Sequence, residues 1–134
     1  MQMKNGWTLL REKGLGGEAL YEDGQGFVRM ELLPEELRTQ LPALGSTDGQ
    51  GEDATVYAKL FSPSGPFTWY VTEFDGEDTC FGYILNAATP RFSELGYFSL
   101  SELEGIGDAR RLVLPIERDV TFSPQPLSEA KKAQ

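Results

Sequence analysis

The sequence predicts an α+β fold: a small antiparallel β-meander of three to five strands packed with two short helices. Three observations carry this expectation. Residues 54–61 and 68–85 alternate apolar and polar side chains with the period of a strand. Turn-forming clusters, "SPSGP" and "DGED", separate those runs. Helical spacing occurs only before and after them, so strands sit in the middle and short helices flank them.

Residues 1–29 form an N-terminal extension. Six glycines (Gly6, Gly14, Gly16, Gly17, Gly24, Gly26) break two short apolar runs, "WTLL" and "GFVRMELL", which read as a weak strand or hairpin. "GLGGEAL" lacks the strand–turn–helix setting of a nucleotide-binding turn. In "LLPEELRTQLPALG", Pro34 suits the first helical position, and Glu35 and Glu36 suit the positive end of the helix dipole. Leu33, Leu37 and Leu41 recur every fourth residue as one core-facing stripe, which Pro42 and Gly45 end. "GSTDGQGED" is a polar surface loop. Its acids would repel phosphate, and it has no Lys-Ser or Lys-Thr pair.

"DATVYAKLFSP" is a strand in which Ala54, Val56, Ala58 and Leu60 alternate with Thr55, Tyr57, Lys59 and Phe61. The run "TWYVTEFDGEDTCFGYIL" is a hairpin. A tight Asp75-Gly76 loop would set Glu73 opposite Asp78, two like charges. A loop of Asp75–Asp78 avoids this and pairs Phe74 with Thr79. In either register Trp69, Val71, Cys80 and Ile84 share an aliphatic face, and Tyr70, Thr72, Phe74, Phe81 and Tyr83 share an aromatic one. Ser99 followed by Glu102 has capping-box spacing, so a second helix starts near Leu100 and stops near Gly105–Gly107. "LVLPIERDVTF" is a last extended segment with Pro115 at a bend. Residues 30–127 thus make a single α+β domain, and 128–134 a flexible tail.

The 134 residues carry a net charge of −9. Residues 110–134 hold Arg110, Arg111, Arg118, Lys131 and Lys132 against Glu117, Asp119 and Glu129, a net of +2, which leaves −11 on residues 1–109. Such a field repels phosphate backbones, so nucleic-acid binding is disfavoured and a protein partner is expected. The chain has no histidine, which excludes histidine triads, Cys-His dyads and His-ligated metals. The single cysteine, Cys80, the absence of a hydrophobic signal core and of any membrane-spanning run suggest a cytoplasmic protein.

The candidate binding residues are Tyr57, Lys59, Tyr70, Phe81 and Tyr83 on the aromatic face, with Glu73 and Asp75 near the hairpin tip. Aromatic sheet faces can stack bases, but Lys59 is the only cation expected on this one. "EFDGEDTCFGYI" has no acid where a calcium loop places its bidentate glutamate. No metal, cofactor or catalytic residue is assigned. Two alternatives stay open. One is a carboxylate- or divalent-metal-dependent enzyme using Glu73, Asp75 or Glu117. The other is a weak nucleic-acid-binding module using the aromatic face with Arg110, Arg111, Arg118, Lys131 and Lys132.

The stretches "VYAKLFSPSGPFTWYVTEFDGEDTCFGYI", "ELGYFSLSELEGI" and "LPIERDVTF" resemble a bacterial family catalogued as a domain of unknown function, DUF2958. The resemblance runs from Met30 to about Leu127. Members of that family are often carried on plasmids and other mobile elements, beside antirestriction and conjugation genes. Together with the acidic surface and the missing histidine, this resemblance points to a non-enzymatic interaction protein of plasmid or phage accessory type, modulating a host defence or DNA-processing complex. It implies no catalytic residue.

Overall fold

The computed structural model describes residues 3–14 and 16–132. Strands β1 (Met3–Lys4), β2 (Trp7–Arg11), β3 (Leu20–Glu22) and β4 (Val28–Met30) form a four-stranded antiparallel sheet in chain order. Helix α1 (Glu35–Gln40) follows, then β5 (Thr55–Val56), β6 (Ala58–Phe61), β7 (Phe67–Phe74) and β8 (Thr79–Asn86). The chain continues through β9 (Glu94–Ser99), α2 (Leu100–Gly105), β10 (Glu117–Arg118), β11 (Gln125–Pro126) and α3 (Leu127–Lys132). The principal sheet has the order β10-β6-β7-β8-β9, all antiparallel, and β11 pairs with β5 beside it. The fold is a small α+β fold, with a third helix that the sequence reading lacks.

One face of the principal sheet carries Ala58, Leu60, Trp69, Val71 and Cys80, and packs on Leu33 and Leu41 of the α1 region and Leu100 and Leu103 of α2. This is the aliphatic core expected from the alternation. Leu37 packs partly against it, completing the four-residue stripe. Pro34 caps α1 from outside, with extended backbone (ψ 161°), instead of occupying its first turn. Ser99 caps α2 by accepting the Glu102 N–H at 3.2 Å, as the capping-box spacing predicts.

Two irregularities move side chains between faces. The first is a β-bulge between Val71 and Glu73. Val71 pairs with Gly82, but Glu73 pairs with Phe81 and Phe74 with Cys80, not with Thr79. Thr72 is the extra residue, and its hydroxyl donates to the Phe81 carbonyl at 3.0 Å. Phe74 therefore turns into the aliphatic core and Glu73 takes a place on the other face. The second is the break at Tyr57 between β5 and β6. It sends Val56 to the second face and Tyr57 against the first core, the reverse of strict alternation.

The second face is covered in part by α3. Leu127 and Ala130 bury against Val56, Tyr70 and Leu85. The stretch 128–134, read from sequence as a flexible tail, therefore continues a packed helix through residue 132, and residues 133 and 134 lie outside the described residues. The Leu127 N–H donates to the Ala54 carbonyl (2.9 Å), and Lys131 reaches Glu52 (2.7 Å). A polar-looking segment is ordered because two apolar side chains, three positions apart and so on one side of the helix, fill a gap that a sheet face leaves.

Two buried arginines join the N-terminal sheet to the rest. Arg29 pairs with Asp23 (2.8 Å), lies 4.6 Å over the Trp7 ring, and donates to the carbonyls of Glu104, Ile106 and Gly107. In the other direction Arg118 donates to the Gly16 carbonyl (2.9 Å) and pairs with Glu18 (3.4 Å). Its own N–H meets the Met30 sulfur at 3.2 Å. β4 runs through Met30, so the first sheet and the principal sheet share that strand's neighbourhood.

Candidate functional site

The four acids of the hairpin tip have separate employments. Glu73 is 1% exposed. Its carboxylate accepts the N–H groups of Gly45 (2.7 Å) and Thr47 (2.8 Å) and the Thr47 hydroxyl. Burial alone pushes its pKa up, but these three donors outweigh that and hold it below the usual carboxylate value. Asp75 accepts from the N–H groups of Glu77, Asp78 and Thr79, at 2.8, 2.8 and 3.0 Å, and so builds the turn; those bonds lower its pKa. Asp78 accepts from the Ser99 hydroxyl (2.6 Å) and the Ser101 N–H (2.7 Å), tying the tip to the start of α2, and these bonds lower its pKa too. Glu77 is exposed. Among the described residues no group of three carboxylates or thiols is placed to hold a metal ion. Cys80 lies in the core, where burial first, and then the nearby Asp78 and Asp75 charges, push its thiol up to about 12.

The aromatic face is divided by what covers it. Tyr70 is fully buried, its ring 6.3 Å from that of Tyr83. Lys131 of α3 stands 4.5 Å over the Tyr83 ring. Phe81 lies at the far edge, 4.9 Å from Tyr97 of β9, which is 66% exposed. Tyr57 is in the first core and Glu73 and Asp75 are structural acceptors. Of the seven residues the sequence proposes, the structure brings Lys59 and Tyr70 into one cleft, with Tyr83 beside them.

That cleft, about 620 Å³, opens where α3 stops covering the second face. Tyr70, Leu85, Phe61 and Val120 line it, with Lys59, Arg118 and Asp119 as its charged groups. Its size falls in the range of ligand-binding clefts, roughly 300–1,000 Å³. A second cleft, about 540 Å³, lies on the other face of the same sheet end, between Trp69, Ile84, Ile106 and Ile116. The two meet at the turn Ser62–Phe67, and Phe67 lines both.

This sheet end is apolar, with a cation in the wall of each cleft. Four of the nine large hydrophobic side chains most exposed among the described residues, Phe67, Phe92, Leu112 and Leu114, belong to its turns; a fifth, Val120, borders the first cleft. The turns are joined: the Ala87 N–H donates to the Pro66 carbonyl (3.0 Å) and the Leu114 N–H to the Ser64 hydroxyl (2.9 Å). Leu112 is 81% exposed on a left-handed backbone (φ 59°), a conformation that branched apolar residues seldom adopt. Arg91, Arg110 and Arg111 are all exposed here, against Asp108 within the turns and the exposed Glu94 and Glu117 that directly follow them. At the other end of β7 the loop 45–53 and the tip 75–78 hold Asp48, Glu52, Asp53, Asp75, Glu77 and Asp78 and no lysine or arginine. Local alternation could not find this surface, because it is assembled from three turns far apart in the chain. A run of apolar residues beside arginine, "RRLVL", is the one signal that sequence offers for it.

Of the five basic residues grouped by sequence, Arg118 is buried and Lys131 is tied to Glu52; Arg110 is exposed at the sheet end, Arg111 pairs with Asp108 at 3.7 Å, and Lys132 pairs with Glu129. Among the described residues no helix is long and apolar enough to cross a membrane.

Comparison with known proteins adds one match. No curated protein and no solved structure matches the chain. The family model described as "protein of unknown function (DUF2958)" matches residues 32–134, which contain the principal sheet, all three helices and both clefts. On that match the chain belongs to the DUF2958 family.

Proposed function

We propose that this chain is a non-enzymatic protein-interaction module that binds its partner with the apolar end of the principal sheet, where each cleft has a cation in its wall. The observation that carries this reading is the pair of clefts meeting at Phe67, with Lys59 in the wall of one, Arg111 and Leu112 in the wall of the other, and the exposed Leu114 and Phe92 on the neighbouring turns. Exposed apolar side chains rimmed by charge, beside concave pockets, are what recognition surfaces have and ordinary surfaces lack. Phe67 stacks on Trp69 at 5.8 Å, so it is presented from a rigid strand and not from a mobile loop. The resemblance to mobile-element proteins makes a host defence or DNA-processing complex the partner class to screen first. The acidic opposite end serves solubility and keeps nucleic acid away.

The test is comparative capture at physiological salt. Wild-type protein, a Phe67→Ser/Leu112→Ser variant and an Asp48→Asn/Glu77→Gln variant are used as baits. A protein retained by the wild type and the acidic-end variant but lost with Phe67→Ser/Leu112→Ser supports the reading. Loss with the acidic-end variant alone moves the interface to the other end of the sheet and sinks it.

A further inference from the structure

We infer that the partner presents an acidic, apolar segment that crosses Phe67, places one bulky side chain in each cleft, and sets a carboxylate against Lys59 and another against Arg111. This rests on the interaction reading above and names what occupies its surface. The occupant's chemistry follows from charge. The chain as a whole is strongly acidic, yet each cleft has a cation in its wall, Lys59 in one and Arg111 in the other.

Lys59 forms no ion pair or hydrogen bond through its side chain among the described residues. Asp119, the acid of the same cleft, is engaged elsewhere. That carboxylate accepts from the Thr121 hydroxyl (2.6 Å) and N–H (2.9 Å), and those bonds first, with Lys59 and Arg118 after them, hold its pKa low. Arg118 on the same wall is committed to Glu18 and the Gly16 carbonyl. Lys59 is thus the donor in this cleft left for a ligand. In the second cleft Arg111 reaches Asp108 only at 3.7 Å, with its side chain 82% exposed, a contact that solvent screens heavily. The walls around these cations are aromatic and branched aliphatic, which calls for apolar side chains between the carboxylates. The two clefts communicate across Phe67, so the segment passes through and does not end there.

An anionic bilayer is the less fitting occupant. It would meet the exposed leucines but would leave two concave clefts empty, against the repulsion of a chain at −9. A second copy would have to seat its own acidic end here, a head-to-tail contact that generates open filaments unless the rotation closes.

The experiment uses the full chain, labelled with ¹⁵N, titrated with three ten-residue peptides carrying the same Phe and Leu anchors. Their flanking residues are Asp, Asn or Lys. The expected result is chemical-shift change at Lys59, Phe67, Leu85 and Val113 with the Asp peptide, several-fold weaker with Asn and weakest with Lys. The Asp preference should shrink by about fivefold in Lys59→Met, the scale of a rim ion pair, and fade as salt rises. Equal binding of the Asp and Lys peptides overturns the inference while leaving the surface reading to the capture result. Asp-peptide binding unaffected by Phe67→Ser/Leu112→Ser removes the surface itself. Concentration-dependent sedimentation that the Asp peptide does not reverse assigns the end to a second copy. Tighter binding to anionic vesicles than to the peptide assigns it to lipid. Either of the last two results overturns the proposal.

Discussion

Glu73 shows how little a residue's chemistry is its own. In the sequence it is one acid among four at a turn; in the fold it is a buried acceptor for the Gly45–Thr47 loop. A buried charge with three donors is stable only as a charge. Replacing it with Gln removes the charge-assisted bonds and should destabilise the protein by about 2 kcal/mol, read as a shift in the urea midpoint. The pH dependence follows from the same geometry. The folded pKa lies below the ordinary 4.5, so the stabilisation is fully present above that value and is lost as pH falls through the folded pKa. The Glu73→Gln protein should therefore lose less stability than wild type on acidification below 4.5. An equal loss in both would place the acid sensitivity elsewhere. Cys80 is the converse case, kept neutral by burial with a thiol at about 12. At pH 8 it should stay unmodified by a thiol reagent in the folded protein and react within minutes in denaturant; rapid labelling of the native state would contradict its placement.

At the scale of elements, the hairpin and its bulge decide which aromatic goes where. Gly82 sits opposite Val71, beside the bulge, and a Cβ there would lie 1.8 Å from the Tyr70 carbonyl oxygen. Backbone cannot yield that much, so Gly82→Ala should cost roughly 3 kcal/mol or abolish folding, measured by thermal unfolding. A glycine inside a strand pattern is itself a bulge signal, and "TCFGYI" carried it. The C-terminal helix is the second deciding element. Removing residues 127–134 uncovers Tyr70 and Leu85; Leu127→Ala, the milder change, should cost about 2–4 kcal/mol. If 127–134 can be deleted without lowering the midpoint, its packing is incidental. The N-terminal sheet offers a third test, because each sheet has its own tryptophan. In a Trp69→Phe background, Arg29→Met should shift Trp7 emission to the red and speed proteolysis within residues 3–30. The same change beside Trp7→Phe should leave Trp69 emission in place.

The whole molecule is polarised along β7. Six carboxylates, one of them paired with Lys131, gather at its tip end, and four exposed hydrophobics among charges of both signs gather at its start. Interface side chains of this kind add little to stability. Phe67→Ser/Leu112→Ser should leave the unfolding free energy within about 1 kcal/mol of wild type, since Leu112 is 81% and Phe67 39% exposed. A large loss would mean that the residues hold the fold together and were not free for a partner.

Much of this architecture was legible in the chain because it depends on local periodicity. Alternation placed Ala58, Leu60, Trp69, Val71 and Cys80 on one buried face, helical spacing placed Leu33 and Leu41 under it, and Ser99–Glu102 marked where α2 begins. These follow from backbone geometry repeated every two or about four residues, which a sequence displays directly. The exceptions needed the folded chain. The bulge at Thr72 and the break at Tyr57 each shift the phase by one residue, which no periodic pattern can announce. The helix at 127–132 is held by a sheet face remote in sequence, and the candidate surface is built from turns at 62–67, 87–93 and 108–116. The sequence by itself determined the fold class, the first core and the chemistry ruled out by a missing histidine. Only the tertiary structure decided which acids are buried acceptors, what covers the aromatic face, and where apolar and basic groups converge. Burial and charge at a point in space depend on every segment that reaches it.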